Sequence, residues 1–411
     1  MKRMLRFLGA TAIWRHRDLR LMLPGRAISA FGDDMALVVL TLRVYDGHLG
    51  AWSISGLLLC FAVPVVLLGR VSGRLVDSVS FRRLAIATAA WQAACCAALA
   101  FATPLWSTYA LVLALQAGTA VALPAWQALI PSIAEREEVG SAVGASQAMN
   151  TIAAVAAPAV AGVTAGSLGY AAPLLIDAGT FLVLAAAAAA IHANRGGCVG
   201  SDESSSPGQP YSLRGDDLLW PLVVGLCILV LVGEVTNVVE VFLLRGTLRA
   251  STTGFGLVGG LLAASIVIGS VAAVRPAPHE VRARRAAAAA LGLGVALALA
   301  GLAPMLSVFG LAWAVVGVSN GIANVDASTL LLERTPESCR GRVLAQVNAM
   351  VRGSSLGAMA LGGAAGTLLG PRETFVTAGT LMALAATGLL ARMRQTTKNP
   401  ASAGLFLRLR G

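Results

Sequence analysis

The stretch LLWPLVVGLCILVLVGEVTNVVEVFLL, Leu218–Leu244, is apolar over most of its length, and its only charged residues are Glu234 and Glu240. A helix rises about 1.5 Å per residue and the hydrocarbon core of a bilayer is about 30 Å thick, so a run of this length is long enough to cross a membrane. It lacks the apolar–polar alternation of a barrel strand. Similar windows recur along the whole chain, near 20–43, 51–72, 84–103, 106–130, 141–165 and 171–192, and again near 253–274, 286–302, 305–331, 343–369 and 373–393. The longest polar stretch, Asn194–Asp217, has the composition of a flexible linker and leaves six windows on either side. The expected organisation is an N-terminal six-helix half (1–193), a linker (194–217) and a C-terminal six-helix half with a tail (218–411). The fold class is all-α and membrane-embedded, with twelve transmembrane helices.

The bulk composition agrees. Of 411 residues, 57% are hydrophobic and only 12% charged, with a mean hydropathy of +0.76. A soluble domain carries roughly 25% charged residues. The net charge of +11 does not imply nucleic acid, because the basic residues sit in short clusters between apolar runs and Lys2 and Lys398 are the only lysines. Clusters fall before the first span (Lys2, Arg3, Arg6, Arg15, Arg17, Arg20), after the second (Arg74, Arg82, Arg83), after the eighth (Arg275, Arg282, Arg284, Arg285), after the tenth (Arg334, Arg340, Arg342) and in the tail (Arg392, Arg394, Lys398). Arg43, Arg245, Arg249 and Arg372 are exceptions on the other side. By the positive-inside rule both termini and the linker are expected in the cytoplasm. The N-terminal segment reads as a cytoplasmic lead-in, since Arg6 interrupts it and no cleavage pattern follows. The six cysteines, Cys60, Cys95, Cys96, Cys198, Cys227 and Cys339, have neither metal-ligand spacing nor a disulfide framework.

A faint repeat links the two sets of spans. At an offset of 201, Gly32–Asp33 aligns with Gly233–Glu234, Ala148–Met149 with Ala349–Met350, and Gly162 with Gly363. Duplicated halves of this kind occur in secondary transporters, whose substrate sites lie between the repeats near the bilayer midplane.

GRLVDSVSFRR, Gly73–Arg83, resembles the G-x-L-x-D-R-x-G-R-[KR] loop motif of the major facilitator superfamily. Gly73, Leu75, Asp77 and Arg82 match; Ser78, Ser80 and Phe81 depart from it. WRHRDLRLMLPGRAISAFGDD, Trp14–Asp34, and ERTPESCRGRV, Glu333–Val343, are similar to the first helix and the loop after span ten in the drug-exporter branch, which includes macrolide and siderophore exporters. The span-five pattern of proton antiporters, G-P-x-x-G-G, is reduced here to Pro158 and Gly162. The resemblance covers essentially the whole chain. It implies the major facilitator fold with pseudo-symmetric halves, and a conformational latch at Gly73, Asp77, Arg82 and Arg83.

A charge near the centre of a spanning helix costs roughly 2.5–3.5 kcal/mol on insertion scales, so such residues are functional candidates. Span one has Arg26, Asp33 and Asp34. Arg26 and Asp33 share a face, and Asp34 is rotated by about 100°. Span seven has Glu234, Asn237 and Glu240; span ten has Asn320, Asn324 and Asp326, with Asp326 pointing away from the two asparagines. Asp177 lies in span six, and Arg352 in span eleven reads as a countercharge. Glu234, Asp33 and Asp34 are the leading proton-coupling candidates, because a buried carboxylate can exchange a proton for a cationic or polar substrate. For each, the alternative is a structural ion pair. Gly256–Gly260 and Gly353–Gly357 have the small-xxx-small spacing of helix contacts.

The expected function is export of an amphipathic small molecule, a drug or natural product, by proton antiport and alternating access in a bacterial cytoplasmic membrane. The alternatives are an importer of a nutrient or metabolite and a non-transporting receptor or sensor. An enzyme is not expected, since no catalytic constellation or metal motif occurs. No G-x-x-x-x-G-K-[ST] run is present, so the proton gradient, not ATP or a cofactor, is the expected energy source. The expected partners are the small-molecule substrate and the lipid bilayer, with no nucleic acid, and the chain is expected to be a monomer.

Overall fold

A computed structural model describes residues 15–135, 138–192, 219–275, 277–335 and 340–398, with side chains throughout except at 69–78, 128, 131, 340–342 and 392–398. The expected linker lies outside the described residues. Among the described residues twelve long helices follow in order: α1 (Arg17–Asp46), α2 (Ala51–Ser78), α3 (Phe81–Phe101), α4 (Leu105–Ile133), α5 (Val139–Leu168), α6 (Ala171–Ala190), α7 (Leu219–Val241), α8 (Thr252–Ala273), α9 (His279–Leu302), α10 (Leu306–Arg334), α11 (Arg340–Leu368) and α12 (Pro371–Lys398). Ten of them are long and apolar enough to cross a membrane. The other two are α1 and α11. Every eighteen-residue window of α1 that includes Asp33 and Asp34 also takes in Arg26 or Arg43, while Gln346, Asn348, Arg352, Ser354 and Ser355 lower the hydropathy of α11.

The helices run longer than the apolar windows, because polar ends outside the hydrocarbon continue to form backbone hydrogen bonds. The difference matters at Gly73–Arg83. The expected loop is mostly helix: α2 continues to Ser78, α3 starts at Phe81, and only Val79 and Ser80 connect them.

The chain divides into two compact units, Met1–Ser204 with Leu244–Gly260, and Ser205–Leu243 with Leu261–Gly411. In the first unit α1 packs on α5 and α6, and α3 packs on α4 and α6; in the second α7 packs on α11 and α12, and α9 packs on α10 and α12. These pairings repeat with a shift of six helices. The connections repeat as well. His48, after α1, and Arg249, after α7, are the two non-glycine residues with positive φ (56° and 52°) among the described residues. Gly169 (φ 82°) follows α5 and Gly370 (φ 88°) follows α11, where the left-handed conformation at a helix end favours glycine. Both pairs stand at the offset of 201 residues seen in the sequence.

Segment Leu244–Gly260 belongs to the first unit for a packing reason. A Cβ on Gly256 would stand 2.3 Å from the Pro158 carbonyl oxygen, and one on Gly162 would stand 2.8 Å from Gly256 Cα, so α5 and the start of α8 meet backbone to backbone. Gly260 likewise faces Ala159. The parallel expectation for Gly353 and Gly357 fails: nothing lies within 4 Å of a Cβ at either, because both sit on an exposed face of α11.

Most buried residues are apolar in both units. In the second, Phe309, Trp313 and Phe375 form a cluster with ring centroids 5.1 to 6.0 Å apart. The outer surface is apolar too, with Leu67, Phe101, Trp106, Leu311 and Leu368 among the exposed large side chains. Water would penalise such a surface and lipid does not.

Candidate functional site

The polar interior of the first unit is built on the middle of α1. Arg26 and Asp33 are two turns apart on one face, as expected. The Arg26 guanidinium carbon lies 5.9 Å from the ring centroid of Trp126 on α4. Trp126 is buried and meets Phe81 edge-on at 5.0 Å, so the cation rests on an aromatic face that is itself fixed by packing. Asp33 lies among the charges of Asp177, Asp34 and Arg26, and its Oδ1 is buried with no hydrogen-bond partner. Asp34 is half-buried. Of the two aspartates, Asp33 is the one with a buried oxygen that no donor reaches.

Asp177 on α6 is fully buried. Its carboxylate accepts from the Cys96 thiol of α3 at 2.9 Å and lies 3.1 Å from the Thr180 hydroxyl. It fits against α1 because residue 32 is glycine: a Cβ there would stand 2.1 Å from Asp177 Oδ1 and 2.6 Å from Thr180 Oγ1. The sequence pointed to Asp177 but not to Cys96 or Thr180 as its partners, since nothing local connects positions 81 residues apart.

In the second unit, Glu234 on α7 accepts from Ser355 of α11 at 3.0 Å and from Asn237 at 3.3 Å. Glu240, one turn beyond Asn237, is half-buried. Asn324 donates to the side chain of Asn320 at 2.8 Å, so those two share a face as expected. Asp326 points elsewhere. It is fully buried, and Arg285 of α9 grips both of its oxygens, Nε at 2.6 Å to Oδ2 and Nη2 to Oδ1. The same Nη2 donates to the Ala273 carbonyl at 2.7 Å, so Asp326 fastens α9 and the end of α8 to α10. Arg352 does not act as a countercharge among the described residues: it is exposed and makes no ion pair there. A cavity of about 420 Å³ opens between α7, α9, α10 and α12, lined by apolar side chains including Trp220, Ala287, Ala323, Met382 and Leu389. None of the expected polar residues lines it.

One cluster was not expected, although Arg245 stands out in the sequence as an exception to the charge bias. Arg245, in the π-helical turn Phe242–Thr247 after α7, pairs with Asp46 at the end of α1 at 3.1 Å and donates to the Ala250 carbonyl at 2.9 Å. Tyr170, just before α6, donates to the same Asp46 carboxylate. Burial, then the hydrogen bond and charge of Asp46, push the Tyr170 hydroxyl up to about 12, against the opposing influence of Thr252 and Arg245.

Of the expected latch, Gly73 and Asp77 lie on the part of α2 whose side chains are outside the described residues. Arg82 donates to the Ala189 carbonyl at the end of α6, and Arg83 is exposed.

The sequence model of the family described as Major Facilitator Superfamily matches residues 22–357. The uncharacterised MFS-type transporter YfiS of Bacillus subtilis (strain 168) is 26% identical over 170 residues, and the match spans only 41% of this chain and 41% of the relative. A bacterial homologue of the human lysosomal transporter Spinster, inward-facing and occupied, superposes with a TM-score of 0.71 at 15% identity, over 93% of this chain and 98% of that one. A bacterial homologue of the iron transporter ferroportin, inward-facing, gives 0.70 at 17% over 92% and 98%. The nucleoside transporter NupG gives 0.70 at 12% over 92% and 99%. At these identities the solved structures show a shared fold and not a shared cargo. The all-helical architecture, the ten apolar spans and the family match together make this a multi-pass membrane protein, and the chain belongs to the Major Facilitator Superfamily.

Proposed function

We propose that the chain is a proton-driven exporter of amphipathic small molecules, working by alternating access between two six-helix halves with both termini in the cytoplasm. The observation that carries the coupling is Asp33: a carboxylate in the middle of a spanning helix, beside Arg26, with one oxygen buried and unpartnered. An acceptor left without a donor in a dry interior is costly, and a proton arriving there removes the cost. Asp34, next to it, and Glu234, at the equivalent place on α7, are the accessory candidates. Ser355 and Asn237 already satisfy Glu234, so it suits polar substrate contact as well as proton exchange. Asp326 is a fastening residue in this reading.

The duplicated halves rest on the helix pairings and on the positive-φ pairs His48/Arg249 and Gly169/Gly370. Export rests on the similarity of Trp14–Asp34 to the first helix of drug exporters, and the cytoplasmic placement of the termini on the basic clusters. The bacterial cytoplasmic membrane is the proposed location, with the chain acting as a monomer.

Efflux of ethidium, a macrolide and a siderophore from cells, with the pH gradient intact and then collapsed, tests the reading. Wild type should lower accumulation of at least one compound only when the gradient is present, and Asp33→Asn should abolish that effect. Unchanged efflux in Asp33→Asn, Asp34→Asn and Glu234→Gln alike would remove the coupling assignment, and increased accumulation in wild type would favour an importer.

A further inference from the structure

We propose that the apolar cavity of the second unit is a lipid site, which takes one acyl chain of a membrane phospholipid through an opening between α7 and α12. The inference goes beyond the transport reading and does not depend on it.

Small residues make the space. Every lining residue that α9 and α10 contribute is Ala (Ala286, Ala287, Ala290, Ala323 and Ala327), and α7 and α12 add Gly225 and Gly388. A Cβ on Gly225 would have Leu389 as its nearest neighbour, 4.0 Å away, and one on Gly388 would have nothing within 4 Å. All four helices belong to the second unit. The cavity reaches from Trp220 to Leu229 on α7 and from Met382 to Leu389 on α12, or about 14 Å and about 10 Å at about 1.5 Å per residue. These stretches lie at the start of α7 and towards the end of α12, so the cavity occupies one side of the bilayer. Its depth is about half of a hydrocarbon core of about 30 Å, the depth of one leaflet.

The lining decides what can fill it. Trp220 has the one polar side chain among the lining residues. Water needs two to four hydrogen-bonding partners and finds too few. A peptide segment would bring in backbone N–H and C=O groups with nothing to pair them. Left empty, a space of about 420 Å³ forfeits the dispersion contacts of its whole lining. A saturated or unsaturated hydrocarbon chain restores those contacts and has no polar group to satisfy.

The rim supplies the source. Val224 of α7 and Gly388 of α12 line the cavity and are also exposed. The exposed face of α12 continues from Gly388 through Leu384 and Leu381, and that of α7 from Val224 to Leu231, all of them apolar. The mouth is thus continuous with the apolar outer surface that a multi-pass membrane protein presents to lipid, and acyl chains stand against it at the highest concentration of any apolar molecule.

Cross-linking in vesicles tests the site without any transported compound. The full chain is reconstituted with a phospholipid that carries a photoreactive diazirine midway along one acyl chain, irradiated and digested, and the adducts are located by mass spectrometry. Wild type should be labelled at the exposed Leu381 and Leu384 and also at the buried Ala287 and Met382, which only a chain inside the cavity can reach. Gly225→Leu, which fills the space from α7, should lose the adducts at Ala287 and Met382 and keep those at Leu381 and Leu384. Where Gly225→Leu fails to fold, Ala290→Leu fills the same space from α9 and should give the same loss. Wild-type adducts confined to exposed residues would assign the cavity to another occupant and overturn the lipid site. Internal adducts that persist undiminished in a folded filling variant would overturn it too, since the chain would then reach Ala287 and Met382 by another route.

Discussion

The carboxylate of Asp177 occupies the space where a side chain at residue 32 would begin, its Oδ1 lying 2.1 Å from the position a Gly32 Cβ would take. Neither group has room to yield, since Asp177 is bonded to Cys96 and backed by Thr180. Gly32→Ala is therefore expected to destabilise the first unit by about 1–3 kcal/mol, the usual cost of overpacking. The unfolding midpoint of detergent-solubilised protein measures it, and a midpoint equal to wild type would contradict the close approach.

The opposite result is expected on α11. Gly353 and Gly357 have nothing within 4 Å of a Cβ and sit mid-helix. Replacing either with Ala should leave packing untouched and raise stability by up to about 1 kcal/mol through helix propensity. A drop in the unfolding midpoint would show that the face is covered.

Asp326 and Arg285 supply a two-pronged ion pair in which the acid is fully buried and the Arg285 side chain is 27% exposed. Truncating either partner should cost about 3 kcal/mol, while removing both should cost much less than the sum. Arg285→Lys should not recover wild-type stability, because an ammonium cannot reproduce the fork. A double-mutant cycle on unfolding midpoints checks this. Additive losses would mean that the two residues act independently.

Tyr170 provides the pH-dependent case. Its hydroxyl is pushed from about 10 up to about 12 in the folded protein, chiefly by burial and then by Asp46. The folded state thus holds this proton more tightly than the unfolded one. The stability linked to it is present in full below about pH 10 and is lost as the pH rises towards about 12. Tyr170→Phe should remove that part of the alkaline loss, and Asp46→Asn should make Tyr170 ionise at lower pH. Absorbance of tyrosinate against pH, with unfolding midpoints at the same pH values, reads both effects.

Much of the fold was legible because spanning helices announce themselves by length and hydropathy, and the 201-residue echo at Gly32–Asp33 and Gly233–Glu234 reappears in the structure as paired loop conformations at His48 and Arg249. The end of α2 was not legible. Gly73–Ser78 is polar enough to read as a loop, yet no proline or turn signal stops the helix there. The site was legible as a set of charges but not as a set of partners. Asp33 was found because a charge in an apolar run is costly, whereas Asp177–Cys96, Arg285–Asp326 and Asp46–Arg245 are separated by 81, 41 and 199 residues. Periodicity carries no information about such distant contacts, and Arg352, read as a countercharge from its place in a span, is exposed instead.

Purified protein in vesicles loaded with a pH-sensitive dye gives the most direct test of proton-driven export. An imposed pH gradient should drive ethidium, or another member of the same compound panel, in the direction opposite to proton flow. The dye should report one matched change in internal pH, and both signals should vanish in Asp33→Asn. Compound movement indifferent to the gradient, or running in the same direction as the protons, would contradict the account.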